Sequence, residues 1–310
     1  MKKKALILGV EGFLGKAMWK HLQRSKTRWE VFGLDHAVSR TSKNIFACDI
    51  QQQRKLLDVL GSIKPEIVFH FAGGRFVEKK QLMEANISTT RCLFEVIAKI
   101  RKYRPRVIIP GTAAEYGKMP PRRRKMNESD TPRPLTNYGE AKYKQTCLAL
   151  DYARDGHDVV VARIFNISGE ETPSGLAIGR FAEQIVQIES GRSCAVIHSK
   201  NLDGRRDFLD IEDVCRALLS LARHGMAGQV YNVCSGRAYR IRELLHGLLA
   251  LSKIKGVRIE EDEGDFSMSC DVIGSNVKIK FLCDWRPKVS MRKSLRNTMN
   301  SYRSLIRENG

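Results

Sequence analysis

Tyr138 and Lys142 lie four residues apart in the run Tyr138-Gly139-Glu140-Ala141-Lys142. On a helix this spacing sets both side chains on one face, one turn apart. A phenol has a reference pKa of about 10 and is a poor acid or base at neutral pH. A neighbouring ammonium stabilises the phenolate and lowers that value. The pair can then move a proton to or from a sugar or alcohol hydroxyl. A Tyr and a Lys also fall four apart by chance, so the chemistry depends on what the rest of the chain supplies.

A scaffold for such a helix is legible from the start of the chain. Apolar strands are expected at residues 5–8, 30–34, 44–48, 66–71, 106–110 and 159–162. Helices are expected at 13–24, 51–60, 82–100 and 137–154, the last carrying the Tyr/Lys pair. Gly61 and Pro65 are read as ending the second helix. Alternating β and α with near-continuous apolar strands predicts a doubly wound α/β fold: a parallel Rossmann sheet covered on both faces. Beyond Asn166 the texture changes to glycine, proline and acidic residues, then a helix at 178–190. One more helix and strand of the sheet are expected at 211–223 and 230–233. Helices at 241–251 and 290–307 complete a smaller C-terminal α/β substrate domain. The expected division is 1–166 with about 206–236 as the dinucleotide-binding domain, and 167–205 with 237–310 as the second.

The first strand runs into Gly9-Val10-Glu11-Gly12-Phe13-Leu14-Gly15. The first glycine permits a tight turn and the second lets a pyrophosphate approach the backbone. The third lets the helix pack close to the sheet. The helix start, with Phe13 and Leu14, offers free N–H groups and partial positive charge to phosphate. The alternative is a glycine-rich turn with no ligand. Asp35, twenty residues beyond Gly15, ends the second strand. A carboxylate there bonds a ribose and repels a 2′-phosphate, which favours NAD over NADP. His36 and Arg40 leave NADP open. Asp49 and Ile50 are placed to hold an adenine ring, and Asp49 also suits a helix cap before Gln51.

Composition bounds the rest. At 310 residues with 42% hydrophobic content, the chain suits one large α/β unit or two intimate domains. No apolar run reaches the ~18 residues of a membrane span. Met1-Lys2-Lys3-Lys4 is read as a charged lead into the first strand. The eight cysteines form no CxxC pair and read as free thiols in a reducing cytoplasm. No metal-ligand spacing is present, so no metal is expected. A formal charge of +20 suits nucleic acid, a membrane surface or a small anion, and charge alone does not choose. Its densest cluster, Arg122-Arg123-Arg124-Lys125, has no interleaved aromatics and reads as a solvated loop.

Taken in order, these motifs converge. His70-Phe71-Ala72-Gly73 follows the cofactor end, then Gly111-Thr112-Ala113-Ala114-Glu115-Tyr116-Gly117, then the Tyr/Lys pair. Arg163-Ile164-Phe165-Asn166, Arg206-Asp207-Phe208-Leu209-Asp210 and residues 228–236 come after. The chain resembles the extended short-chain dehydrogenase/reductase family over nearly its whole length. Within it the look is that of nucleotide-sugar enzymes, particularly GDP-4-keto-6-deoxy-mannose reductases and their epimerase relatives. The resemblance implies Tyr138 as general acid/base and Lys142 as the residue that lowers its pKa and binds the nicotinamide ribose. It implies Thr112 as the hydroxyl that holds the substrate's C4 oxygen; the plain alternative is a strand-end threonine. Phe71, Ala72 and Gly73 would line the dinucleotide. Asn166 and Arg206 would grip the nucleotide diphosphate, a surface cation being the plain alternative for Arg206.

The departures narrow the expectation. The family's 4,6-dehydratases carry an Asp-Glu pair after the Ser/Thr, and this chain has Ala113 and Ala114. Dehydration is therefore disfavoured. The loop Gly74-Arg75-Phe76-Val77 is short. Gly169-Glu170-Glu171 replaces a frequent Gly-Pro-Gly, and Phe266-Ser267-Met268-Ser269-Cys270-Asp271 replaces an Arg-rich clamp. The function expected is an NAD(P)-dependent 4-ketoreductase or 4-epimerase acting on a nucleotide sugar, cytoplasmic, with no membrane and no nucleic-acid partner. A homodimer through 82–100 and 137–154 is expected from resemblance alone. The rival is a non-catalytic dinucleotide-binding sensor or nucleic-acid-binding protein on the same fold.

Overall fold

Near-continuous apolar runs with glycine turns behind them build a parallel sheet, because such strands can be buried on both faces. The computed structural model describes residues 2–25, 29–39, 41–74, 78–117, 125–261 and 271–308. The first half contains β1 (Lys3–Leu8), α1 (Phe13–Arg24), β2 (Trp29–Asp35), β3 (Ile45–Ala47), α2 (Gln53–Ile63) and β4 (Ile67–His70). Then come α3 (Lys79–Met83), a π-helical turn (Glu84–Ser88), α4 (Thr89–Lys99), β5 (Arg106–Thr112) and a 3₁₀ turn (Ala113–Glu115). The centre holds α5 (Asn137–Arg154), β6 (Val159–Ile164), β7 (Asn166–Ser168), α6 (Ala177–Glu189), β8 (Val196–Ser199) and β9 (Arg205–Asp210). The chain closes with α7 (Ile211–His224), β10 (Gln229–Val233), β11 (Ala238–Arg240), α8 (Ile241–Leu249), β12 (Arg258–Glu261), α9 (Val277–Cys283) and α10 (Met291–Glu308).

Seven strands pair in the order β10-β6-β5-β4-β1-β2-β3, all parallel. The winding reverses between β1 and β4, and the carboxyl ends of those strands frame the crevice where open α/β sheets bind ligands. Met18 and Leu22 of α1, Val214 and Leu218 of α7 and Ile279 of α9 bury one face of the sheet. Leu56 and Leu60 of α2, Leu93 and Ile97 of α4 and Ala149 of α5 bury the other. A separate core gathers Phe181 and Ile185 of α6, Leu244 and Leu248 of α8, and Leu295 and Met299 of α10. This is the doubly wound Rossmann architecture with an added C-terminal layer.

Several local expectations differ from the structure. Gly61 does not end α2; the helix runs on to Ile63, and Lys64 ends it in the left-handed region at φ 48°. The segment 82–100 is three pieces, with the π turn widening it at Glu84–Ser88. The strand β9, not expected from the sequence pattern, pairs with β7 and β11 in a three-stranded sheet. Short strands such as β7 and β11 carry too few residues for a period to show. Of the described cysteines, Cys48, Cys92, Cys215, Cys234 and Cys283 are buried free thiols, while Cys194 is exposed. Arg40, Arg75, Phe76, Val77, Arg122, Arg123, Arg124 and residues 266–270 lie outside the described residues. No described helix is long and apolar enough to cross a membrane.

The three-stranded sheet is tied to the main one by Asp207, which is fully buried. Its Oδ1 accepts from Ser235 N and Oγ at 2.8 and 2.7 Å, and its Oδ2 from Gly236 N and Gly274 N at 2.8 and 3.3 Å. Four donors on two oxygens leave no room for an amide nitrogen. Asp207→Asn turns an N–H₂ toward those donors and is expected to destabilise by about 2–4 kcal/mol. A fall of several degrees in Tm, read by circular dichroism, checks this; an unchanged Tm contradicts it.

Candidate active site

At the amino end of α1 the glycines do what their spacing implied. Gly9 sits at φ +82°, and a Cβ there would lie 2.8 Å from Ala72 N and from Phe71 C. A Cβ at Gly15 would come within 2.0 Å of Gly9 O, so the helix can approach only because that atom is missing. Gly12 is the cap residue of α1, and no side chain caps the helix there. The first-turn N–H groups are thus left for an outside acceptor, as a dinucleotide pyrophosphate requires. Asp35 closes this turn. Its carboxylate accepts from Glu11 N at 3.0 Å and Ala37 N at 2.9 Å, with His36 Nδ1 at 3.3 Å. Asp49 accepts from Gln51 N at 2.9 Å in a turn ahead of α2. The cap of α2 is Gln52, so Asp49 is not the helix cap and stays exposed beside buried Ile50.

Phe71, Ala72 and Gly73 follow β4 along the same edge, with Gly73 at φ +142°. A Cβ on Gly73 would lie 2.8 Å from Asn86 Oδ1. Asn86, in the π turn, donates its Nδ2 to Leu82 O at 2.8 Å and to Gly74 O at 3.2 Å, which pins this loop.

Thr112 ends β5 and caps the 3₁₀ turn, accepting from Ala114 N at 3.3 Å. Glu115 reciprocates, taking the Thr112 N–H at 2.7 Å. Glu115 is fully buried and bonds Arg163 Nε of β6 at 2.9 Å. Burial pushes the Glu115 carboxyl up from the usual range, and the Arg163 guanidinium pulls it back. The helix α5 starts with Thr136 capping Gly139 N at 3.0 Å, so Tyr138 falls in its first turn. A Cβ at Gly139 would lie 2.5 Å from Ala114 O. Bare backbone at Gly139 therefore brings the Tyr138 turn against the turn that Thr112 caps.

Lys142 lies one helical turn further on and is 6% exposed. Burial pulls its ammonium down to about 8, opposed by the Glu115 charge. Its Nζ donates to Gln145 Oε1. Gln145 Nε2 donates to Thr90 Oγ1 at 2.8 Å, and Thr90 donates to Asn86 O at 2.8 Å. His70 Nε2 meets the same Thr90 hydroxyl at 2.9 Å. His70 is fully buried, and burial first, then Lys142, lowers its pKa to about 3, so the ring is neutral. No role was assigned from sequence to Gln145, Thr90 or Asn86. Gln145 lies on the buried side of α5 with Lys142 and Thr146, Thr90 is on α4 and Asn86 is in the π turn.

Beyond the sheet, Asn166 opens β7 and donates Nδ2 to Asp207 O at 3.0 Å, which sets it beside Arg206. Arg206 is half-buried and donates Nη1 to Arg205 O at 2.9 Å. The structure thus brings Thr112 and Tyr138 together through adjoining turns. It sets the glycine turn and Asp35 along one edge, and Asn166 next to Arg206.

Residues 5–234 match the model of the NAD dependent epimerase/dehydratase family. The chain is 27% identical to a GDP-6-deoxy-D-mannose reductase of Pseudomonas aeruginosa, over 99% of this chain and 100% of that protein. It is 25% identical to a GDP-6-deoxy-D-talose 4-dehydrogenase of Aggregatibacter actinomycetemcomitans, over 89% and 92%. dTDP-D-glucose 4,6-dehydratases are among the further relatives. The solved structure of RMD from Pseudomonas aeruginosa complexed with NADPH superposes with a TM-score of 0.86 at 26% identity, covering 98% of this chain and 100% of that one.

The Gly139 contact yields a test. Gly139→Ala forces α5 away from Ala114 O and is expected to cost about 1–3 kcal/mol. It should also lower turnover at least tenfold, because misplacement by about an ångström costs rate steeply. Thermal melting and kcat measured together check it. Wild-type values for both would show that the approach is not needed.

Proposed function

The chain belongs to the NAD dependent epimerase/dehydratase family, and we propose that it is an NAD(P)-dependent nucleotide-sugar 4-ketoreductase or 4-epimerase. The observation that carries this reading is the meeting of the Thr112 turn and the Tyr138 turn beside a buried, charged Lys142. The names of the relatives, a GDP-6-deoxy-D-mannose reductase and a GDP-6-deoxy-D-talose 4-dehydrogenase, support the substrate class and the position.

The nicotinamide supplies or accepts the hydride at sugar C4. Gly9, Gly12 and Gly15, with the N–H groups of Phe13 and Leu14, hold its pyrophosphate; Asp35 takes the adenosine ribose. Asp49 and Ile50 flank the adenine, and Phe71, Ala72 and Gly73 line the path. Tyr138 passes the proton on the C4 oxygen, and the Thr112 hydroxyl holds that oxygen. The Lys142 ammonium stabilises the phenolate and binds the nicotinamide ribose. Asn166 and Arg206 grip the diphosphate of the substrate from the side of β7 and β9. Dehydratases occur among the relatives, but Ala113 and Ala114 supply no acid or base for an elimination. Reduction or epimerisation is therefore preferred. The +20 charge draws in an anionic nucleotide sugar and a dinucleotide. We place the protein in a reducing cytoplasm, which suits its free thiols, as a homodimer packed through residues 82–100 and 137–154.

Tyr138→Phe is expected to lower kcat by about 10²–10⁴-fold with the fold intact. Candidate 4-keto nucleotide sugars with NAD(P)H, followed by absorbance and product analysis, supply the assay. Full activity in the variant would sink the assignment. Asp35, at the end of β2 beside the glycine turn, should make kcat/KM for NADH exceed that for NADPH by about tenfold or more. Equal values would remove that role from Asp35.

A further inference from the structure

The face of α5 that carries Lys142 also carries Gln145, and the two are joined inside the protein. Gln145 is 1% exposed and Thr90 fully buried. A lysine ammonium only donates, so the amide oxygen of Gln145 must face Lys142. The amide nitrogen then faces Thr90 Oγ1 at 2.8 Å. Thr90 spends its single hydrogen on Asn86 O at 2.8 Å. His70, 2.9 Å from the same oxygen, must therefore bring its own hydrogen on Nε2. The Gln145 orientation follows from Lys142, and the Thr90 and His70 directions from the Asn86 carbonyl. The π turn is what presents Asn86 and Thr90 to it, while Asn86 also fastens the Gly74 loop at 3.2 Å.

We propose that Gln145 is the positioning residue of this site: it ties the Lys142 ammonium to the π turn and so sets where that charge stands relative to Tyr138. Gln145 is buried and acts through Lys142. The inference rests on the role given to Lys142 above. Among the described residues, two titratable groups from other elements face Lys142. Glu115 comes from the 3₁₀ turn, already bonded to Arg163 of β6, and His70 from β4 is neutral. Tyr138 stands one turn back on the same helix. The π turn and α4 offer Asn86 and Thr90, which carry no charge. Gln145 is thus the neutral acceptor that keeps a buried ammonium in place.

The test reads the lysine itself. Protein labelled with ζ-¹⁵N lysine is titrated by NMR without substrate, and the signal that vanishes in Lys142→Met belongs to Lys142. Gln145→Met removes the acceptor of the charged form, so the Lys142 titration should move down by about one pH unit. Gln145→Glu sets a carboxylate there and should move it up by about as much. The alkaline limb of kcat/KM should follow in the same two directions, and Gln145→Met should lose about tenfold or more in kcat at neutral pH. A general packing defect would lower the rate at all pH values and would not separate the two variants by sign. Signals that stay put, or move in the same direction in both variants, overturn the proposal. Should Gln145→Met fail to fold, Gln145→Glu decides alone, and an unmoved or lowered Lys142 signal overturns it. Opposite shifts without turnover of any 4-keto nucleotide sugar would leave Gln145 as the positioning residue and remove the proposed reaction instead.

Discussion

The carboxylate of Glu115 and the guanidinium of Arg163 meet where water does not reach, and the active end of the fold is arranged around them. A buried charge is costly unless it is paired and hydrogen-bonded. Here Glu115 Oε1 takes the Thr112 N–H, and Gly111 makes the room, since a Cβ there would lie 2.5 Å from that oxygen. Arg163 lies over the Tyr116 ring, 4.5 Å from its centre, and the Tyr116 hydroxyl donates to Asn232 Oδ1 at 2.8 Å. Asn232 Nδ2 in turn donates to Met126 O at 3.1 Å. One ion pair thereby joins β5, β6 and β10 at their carboxyl ends. The direction of Thr112 is a consequence of that pair rather than of local propensity.

Two bare-backbone contacts extend this frame. Gly139 lets α5 start against the Glu115 turn, and Gly9 and Gly15 let α1 start against β4 and its own loop. In both places a helix begins at the sheet's carboxyl edge with its first-turn groups facing the crevice. The Tyr138 end and the cofactor end are built by the same device: a glycine where a methyl group would separate helix from sheet. Asp207 adds the third side by holding β9, and with it Arg206, against the loops after β10 and before α9.

Much of this was legible in the residues. The seven parallel strands, α1 and α5 follow from apolar runs and glycine turns, because a strand buried on both faces shows its full length as hydrophobic residues. Tyr138, Lys142, Thr112 and the glycine cradle were visible as spaced motifs. The π turn was not, because its apolar spacing matches an ordinary helix and the extra residue per turn leaves no compositional mark. β7, β9 and β11 were missed as a separate sheet for a related reason: β7 and β11 have three residues each, too few for a pattern to show, and Asp207 of β9 bonds loops far away in sequence. Gln145 and Thr90 were passed over because a polar residue on a helix reads as solvent-facing until its neighbours are known.

Counting the buried charges around Tyr138 gives the site its electrical character. Arg163 and Glu115 pair with each other, and Lys142, one turn from the phenol, donates to the neutral Gln145, which bonds Thr90. A fully compensated cluster would be more stable and less useful, since a lysine locked to its own carboxylate exerts little field on a neighbour. Gln145 avoids this by accepting a hydrogen bond without bringing a charge. The cost is a depressed ammonium, pulled to about 8 by burial. The gain is a positive charge one turn from the phenol, which is what the proposed proton transfer at C4 would use.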